Sequence, residues 1–244
     1  MKRKLANKVV AYIFLFIGII CYSPYALAHP ASQEGILART YNSQYGRYYI
    51  GGEDFGWSID ESYHTNGTTV TYNFSSTDQY LTDTYKSYVI NGASLWSGTV
   101  NIVNREFDNN GTGLISTTYN DDTQVYARFY DYFADSSGHL TSWKIEMNRA
   151  KPLSATVLAH EFGHAIGLND LYDARNSGKL MYGVVGGTAT APTSSDIWGA
   201  KVITGVHTAH TWGYKYWKSN AFGNMHIKYC TICNGLTATT GQCK

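Results

Sequence analysis

The 244-residue chain is poor in charged residues and in proline. Charged residues make up 15% of it, against about 25% in an ordinary soluble domain, which excludes a charge-rich disordered protein and a coiled coil. The four prolines are too few for a collagen-like chain. The 21 tyrosines, 24 glycines and many Ser, Thr and Asn residues that replace charge favour β structure with turns.

Cysteine is scarce as well, and beyond the first 28 residues it occurs only near the C-terminus. Residues 29–159 contain none, and Cys230, Cys233 and Cys243 all lie within the last 15 residues. These cysteines cannot cross-link the main body, which must be held by its core and any bound metal. The hydrophobic content of 43% is sufficient for such a core.

A long apolar run occurs at the N-terminus. Residues 1–28 combine a basic start, an apolar run at 9–20 and the small residues Ala26 and Ala28 around Leu27. This pattern predicts a signal peptide cleaved after Ala28, and therefore a secreted, extracellular protein. The run is short for a bilayer span of about 20 residues, so we expect no stable membrane insertion after signal removal. Of the 19 basic residues four lie in this segment, and the remaining 15 against 18 acidic residues give no support for a nucleic-acid partner.

Strand and helix patterns follow one another between residues 56 and 205. The predicted strands are 69–74, 100–103, 114–119, 124–133 and 140–147, and the predicted helices are 83–96, 153–166 and 195–204. We expect residues 29–55 to be an N-terminal extension or short pro-segment. Residues 56–205 then form the main domain, and residues 206–244 form a small module rich in Cys, His and aromatic residues.

The second predicted helix of the main domain, at 153–166, carries His160, Glu161 and His164. Positions i and i+4 of a helix lie on one face, so two imidazoles can bind one ion while Glu161 reaches a water beside it. Gly167 is a natural helix end, and Asp170 can then fold back as a third ligand. Two histidines and one carboxylate are a catalytic zinc set with an open fourth position. The sequence therefore predicts one Zn²⁺ on His160, His164 and Asp170, with Glu161 as general base.

The carboxylate ligand has a chemical consequence. It leaves the site with a net charge of about +1 instead of +2, so water at the metal is less acidic and depends more on Glu161. Tyr172 and Asp173 are alternative or auxiliary ligands, although the two-residue gap after Gly167 favours Asp170.

The string from His160 to Asp170, followed by Met181, resembles the metzincin zinc endopeptidases. The likeness extends over about residues 56–205, where 83–103 and 195–199 resemble matrixin-type domains. Most matrixins have His in place of Asp170, and the Asp variant is similar to the snapalysin group of small secreted bacterial proteases. The resemblance implies an α+β fold: a mixed five-stranded twisted sheet, an active-site helix and a C-terminal helix. It also implies that Met181 forms a structural Met-turn below the metal.

The resemblance implies a secreted, zinc-dependent endopeptidase that acts on a protein or peptide substrate, with the substrate extended along 124–133. We expect a monomer. One alternative is a catalytically weak metal-bound protein that acts through its C-terminal module, although an intact Glu161 argues against it. Another is a metallohydrolase directed at cell-wall material. No cysteine-switch pro-segment is present.

The C-terminal module has its own candidate ligands. Cys230 and Cys233, with His210 and His226, form a possible second, structural zinc site. A disulfide between Cys243 and one of the other two cysteines is an equal alternative.

Calcium is a further candidate ion, although no loop motif supports it. The acidic residues in question are Asp108, Asp121, Asp122, Asp131 and Asp135, and solvated turn residues are the simpler interpretation.

Overall fold

The computed structural model describes residues 39–44, 46–204, 212–220, 223–230 and 236–240. The predicted signal segment 1–28 lies outside these ranges, as do His210, Cys233 and Cys243. His226 and Cys230 lie in a described strand, but their side chains are outside the described part. The predictions that concern these residues therefore stay predictions.

The described residues form strands and three α-helices, here numbered along the chain. The strands are β1 (Arg39–Asn42), β2 (Arg47–Gly52), β3 (Trp57–Asp60), β4 (Thr69–Phe74), β5 (Asn101–Asn104), β6 (Gly113–Thr118), β7 (Ala127–Ala134), β8 (Leu140–Asn148), β9 (Trp212–Asn220), β10 (Gly223–Cys230) and β11 (Leu236–Thr240). The helices are α1 (Asp83–Ser94), α2 (Ala155–Ile166) and α3 (Ser194–Ile203). No described helix has the length and apolarity needed to cross a bilayer.

A mixed sheet of five strands, in the order β5-β4-β6-β8-β7, is the framework of the main domain. The pairs β4–β5, β4–β6 and β6–β8 are parallel, whereas β7 is antiparallel to β8 and forms one edge. Trp143, Ile145 and Met147 alternate along β8 and are all buried, as expected for a strand with one face in the core. The predicted α+β fold with a mixed five-stranded sheet is confirmed.

The predicted elements of this domain occur with shifted ends. Strand β7 begins at Ala127 instead of residue 124, and α1 ends at Ser94 instead of residue 96. The sequence patterns did not indicate β1, β2 and β3, which form one antiparallel sheet across the expected boundary at residues 55 and 56. Ile50 of β2 is 2% exposed and belongs to the core, so this part of the predicted extension packs with the main domain.

Helix α2 packs on the sheet and stops sharply. Phe162 contacts the rings of Tyr72 and Trp143 at centroid distances of 5.4 and 6.3 Å. The helix ends at Gly167, whose φ of 121° is rarely adopted by L-residues. A Cβ there would also lie 2.5 Å from Cβ of His64. Both observations confirm the predicted helix end at Gly167.

Beyond Gly167 the chain runs beside β3 and forms backbone hydrogen bonds with it. The amide of Asp60 donates to Gly167 O at 2.8 Å, and the amide of Asn169 donates to Ser58 O at 2.9 Å. The small β1–β2–β3 sheet is thus extended by the segment that follows α2, which places that segment beside the N-terminal part of the chain.

Helices α1 and α2 approach each other through a glycine. A Cβ on Gly92 would lie 2.7 Å from Ala155 O and 2.8 Å from Leu158 Cβ. Nearby, Trp96 is 1% exposed and its Nε1 donates to Ala159 O at 2.8 Å. Gly92 is therefore required for the close packing of α1 against α2.

The last strands form a separate antiparallel sheet in the order β11-β10-β9. Its register pairs Trp212 with Cys230 and Met225 with Thr240. These strands fall within the expected C-terminal module.

Gly92→Ala should destabilise the protein because the added methyl group overlaps α2. Overpacking costs about 1–3 kcal/mol, which exceeds the gain of up to about 1 kcal/mol in helix propensity. The free energy of unfolding, measured in urea, should therefore fall. Asn91→Ala is the matched control, since Asn91 is exposed on the same helix. The free energy of unfolding of this variant should not fall. Equal stability of Gly92→Ala and the wild type would contradict this account of the helix contact.

Candidate metal centre

Three potential ligands meet at the C-terminal half of α2. His160 and His164 lie one turn apart on the helix, and Asp170 comes from the segment after Gly167. Their ligand atoms all lie within 4.8 Å of one another, and among the described residues no other group of three or more His, Cys, Asp or Glu does so. Asp170 Oδ1 is 3.0 Å from His160 Nε2 and 3.6 Å from His164 Nε2. The predicted ligand set is thus brought together by the fold.

Both imidazoles are oriented by backbone carbonyls. His160 Nδ1 is 2.8 Å from Leu180 O, and His164 Nδ1 is 2.8 Å from Leu168 O. A carbonyl oxygen only accepts, so each Nδ1 carries the proton and donates it. In the neutral ring the lone pair then lies on Nε2, which faces Asp170. Metal-ligating histidines are held in the same way.

The two oxygens of the Asp170 carboxylate have different neighbours. The Tyr172 hydroxyl donates to Oδ2 at 3.0 Å. Oδ1 is buried and faces the Nε2 atoms of His160 and His164, at 3.0 and 3.6 Å. A buried carboxylate oxygen that faces two imidazole nitrogens needs a proton or a cation between them, so this group fits a divalent metal ion.

The charges of the metal-free group shift its pKa values in opposite directions. Burial alone would raise the pKa of Asp170, but the charge of His164 and the contact with His160 hold that pKa well below its usual range. Burial alone would lower the pKa of His160, but its contact with Asp170 and the charge of Glu161 raise that pKa to about 9. Without a metal, His160 and Asp170 therefore form an ion pair at neutral pH.

Glu161 lies next to the ligands and is 6% exposed. Burial raises its pKa, while the charges of His164 and His160 oppose the shift. The backbone amide of Phe129 on β7 also lowers this pKa. A carboxyl group with a raised pKa is a better proton acceptor than an exposed one, as a general base requires.

Met181 lies directly below the ligand helix. It is 1% exposed, and a Cβ on Gly163 would overlap its Sδ. The turn that carries it is held by Asp196 of α3, which is fully buried and accepts from the amides of Leu180 and Met181 at 3.1 and 3.2 Å. The predicted Met-turn residue thus packs against the helix that carries His160 and His164.

The centre opens into a cleft of about 1100 Å³. The cleft is lined by β7, by α2 and by the segment 182–187, in which Val184 and Val185 are exposed. Arg47 of β2 also lines it and contacts Asp131 at 2.5 Å and Asp60 at 3.0 Å. The edge strand of the main sheet thus borders the candidate metal centre.

The alternative ligands have other roles in the structure. Asp173 accepts from the backbone and side chain of Arg175, and the Tyr172 hydroxyl binds Asp170. Of the acidic residues considered for calcium, Asp108 pairs with Arg105, while Asp135 lies 3.2 Å from His139 Nδ1.

The sequence patterns did not indicate that Arg47, Glu53 and Asp196 shape the site. The carboxylate of Glu53 accepts from the amide of Tyr172 at 2.6 Å, across 119 positions of sequence. Asp196 had a local signal, because it follows Thr193 at capping-box spacing and both capping bonds are present. No local pattern marks the other two.

No protein-family model and no curated protein matches the chain. Among solved structures it is similar to high choriolytic enzyme 1, a hatching enzyme zinc-protease from Oryzias latipes (medaka fish). The identity is 14%, the match covers 59% of this chain and 94% of that chain, and the TM-score is 0.39. At this level the similarity does not assign the chemistry of the site, which depends on the geometry described above.

Gly183→Ala should weaken metal binding, because its Cβ would lie 2.7 Å from Asp170 Cγ and Oδ1. The added methyl group would displace the Asp170 carboxylate. Loss of a residue that holds a metal ligand in place costs roughly 10–100-fold in metal affinity, and we expect a similar loss here. The zinc dissociation constant, measured by competition with a chromophoric chelator, should rise by that factor. Gly178→Ala is the control, since its nearest atom would be 3.9 Å away, and should leave the constant unchanged.

Zinc binding should release a proton from His160. With a pKa of about 9, His160 is protonated at pH 7, whereas a ligand must be neutral. Zinc affinity should therefore rise with pH and level off above about 9. Calorimetry at pH 7 in buffers of different ionisation enthalpy measures the protons released, and a binding enthalpy that is independent of buffer would refute the prediction.

Proposed function

We propose that the protein is a zinc-dependent endopeptidase of metzincin type with the HExxHxxGxxD motif. The observation that supports this most directly is the group His160, His164 and Asp170, with Glu161 beside it, on the floor of an open cleft. Two histidines and one carboxylate leave a coordination position for substrate chemistry. A cleft that is open along a strand edge suits a chain substrate better than a small molecule.

A bound zinc ion supplies a Lewis acid that polarises a carbonyl oxygen and makes nearby water more acidic. Glu161 takes a proton from the attacking water while the water oxygen bonds to the scissile carbonyl carbon. Glu161 then gives that proton to the leaving nitrogen as the carbon–nitrogen bond breaks. The products are a carboxylic acid and an amine, and Glu161 returns to its starting state.

The substrate is proposed to lie along the outer edge of β7. An edge strand has unpaired amide and carbonyl groups, and an extended peptide can pair with them. Phe129 of this strand lines the same cleft as Glu161, so a peptide on β7 passes close to the general base. This placement agrees with the substrate strand expected from residues 124–133.

Export is part of the proposal, on the strength of the signal-like residues 1–28. We further propose a secreted monomer without stable membrane insertion and without a nucleic-acid partner. The intact mass of protein recovered after expression of the full chain tests cleavage after Ala28. A mass that retains residues 1–28 would contradict export by this route.

Glu161→Gln should abolish peptide cleavage and keep the metal. The substitution removes the base but not a ligand, and general acid–base catalysis contributes roughly 10²–10⁴-fold. Cleavage of a mixed peptide library, read by mass spectrometry, should fall by that factor while the zinc content per chain stays at the wild-type value. Glu106→Gln is the matched control, because Glu106 is exposed and its contact is with Lys86.

A chelator should stop cleavage by the wild type, and zinc should restore it. Cleavage that survives both Glu161→Gln and chelation would overturn the proposal. A folded, zinc-loaded wild type that cleaves no peptide would favour the cell-wall-directed hydrolase or the binding protein instead. Metal analysis also decides between zinc and iron(II), since two histidines and a carboxylate can hold either.

A further inference from the structure

A single carboxylate from the N-terminal part of the chain holds the segment that carries the third ligand. Glu53 lies between β2 and β3, in a 3₁₀ turn formed by Glu53–Phe55. Its Oε1 accepts from the amide of Tyr172 at 2.6 Å, and its Oε2 accepts from the amide of Asp173 at 3.1 Å. Two consecutive amides of the ligand segment are thus bound by one side chain.

A buried asparagine completes the contact. Asn176 is 4% exposed, and its Nδ2 donates to Glu53 Oε2 at 2.6 Å and to Glu53 O at 3.0 Å. Three donors therefore converge on one carboxylate, which presents only acceptors. An amide in the same place would turn its own NH₂ group towards at least one donor.

The contact reaches Asp170 through Tyr172. Glu53 fixes the backbone of Tyr172, and the phenol of Tyr172 donates to Asp170 Oδ2 at 3.0 Å. On the other side, the amide of Leu171 donates to Met181 O at 2.8 Å, and the carbonyl oxygen of Leu171 accepts from the amide of Gly183 at 2.9 Å. The ligand segment is thus held between Glu53 and the Met181 turn.

We propose that Glu53 is a positioning residue that sets the orientation of Asp170 in the metal centre. The proposal rests on the metal site of the proposed function. Glu53 makes the segment before β3 a part of that site, because loss of the Glu53 carboxylate would release the amides of Tyr172 and Asp173. Glu53 acts through Tyr172 and contacts neither the metal nor the substrate.

Glu53→Gln tests the proposal, with Asp54→Asn as the matched control. Asp54 adjoins Glu53 and loses the same charge, but its 3.1 Å contact is with Arg175, whose side chain is 65% exposed. In protein from the full chain, Glu53→Gln should raise the zinc dissociation constant roughly 10–100-fold, as loss of outer-shell partners does. The visible spectrum of the Co²⁺-substituted protein should change in band position or intensity. Asp54→Asn should match the wild type in both.

Glu53→Asp keeps the charge but shortens the side chain, so it should recover part of the zinc affinity. Should Glu53→Gln fail to fold, the Asp variant gives the same comparison with the wild type. Wild-type zinc affinity and an unchanged Co²⁺ spectrum in the folded variants would overturn the proposal, even if their stability falls. A wild type that binds neither ion would refute the proposed function itself, whereas an active wild type with unaffected variants refutes only the role of Glu53.

Discussion

The buried carboxylate of Asp196 is the contact on which the centre depends. Asp196 is fully buried and accepts from the amides of Leu180, Met181 and Thr193 and from the hydroxyl of Thr193, at 2.6–3.2 Å. A buried carboxylate is costly unless it is fully hydrogen-bonded, and here four donors compensate it. They join the start of α3 to the Met181 turn. Leu180 O then accepts from His160, so the position of this turn determines the orientation of the first ligand.

Glycines allow the elements around the centre to approach each other. Gly92 brings α1 onto α2, Gly163 leaves space for the sulfur of Met181, and Gly183 leaves space for the carboxylate of Asp170. Each contact is too close for a Cβ. Close packing of this kind limits how far a ligand can move, because protein interiors have few voids and any shift must displace a neighbour. Gly167 leaves space for His64 in the same way, and its positive φ also ends α2 and turns the chain back.

The side chains of the proposed ligands are held in place by hydrogen bonds to other parts of the protein. Two carbonyls hold the imidazoles, Tyr172 holds one oxygen of Asp170, and the other oxygen faces both Nε2 atoms. Such preorganisation lowers the cost of binding and keeps Glu161 beside the bound ion and the edge strand. The proposed peptidase chemistry therefore uses geometry that the fold already provides.

The sequence by itself determined the local features of this protein. Helical spacing put His160 and His164 on one face with Glu161 between them, Gly167 ended the helix, and apolar alternation indicated the five strands of the main sheet. The tertiary structure alone decided which distant groups support the ligands: Glu53 is 119 positions from Tyr172, and Arg47 contacts Asp131 across 84 positions. Periodicity reports only neighbours on the same element. Contacts between a side chain and a remote backbone depend on how packed elements are placed, and no spacing within the sequence encodes that placement.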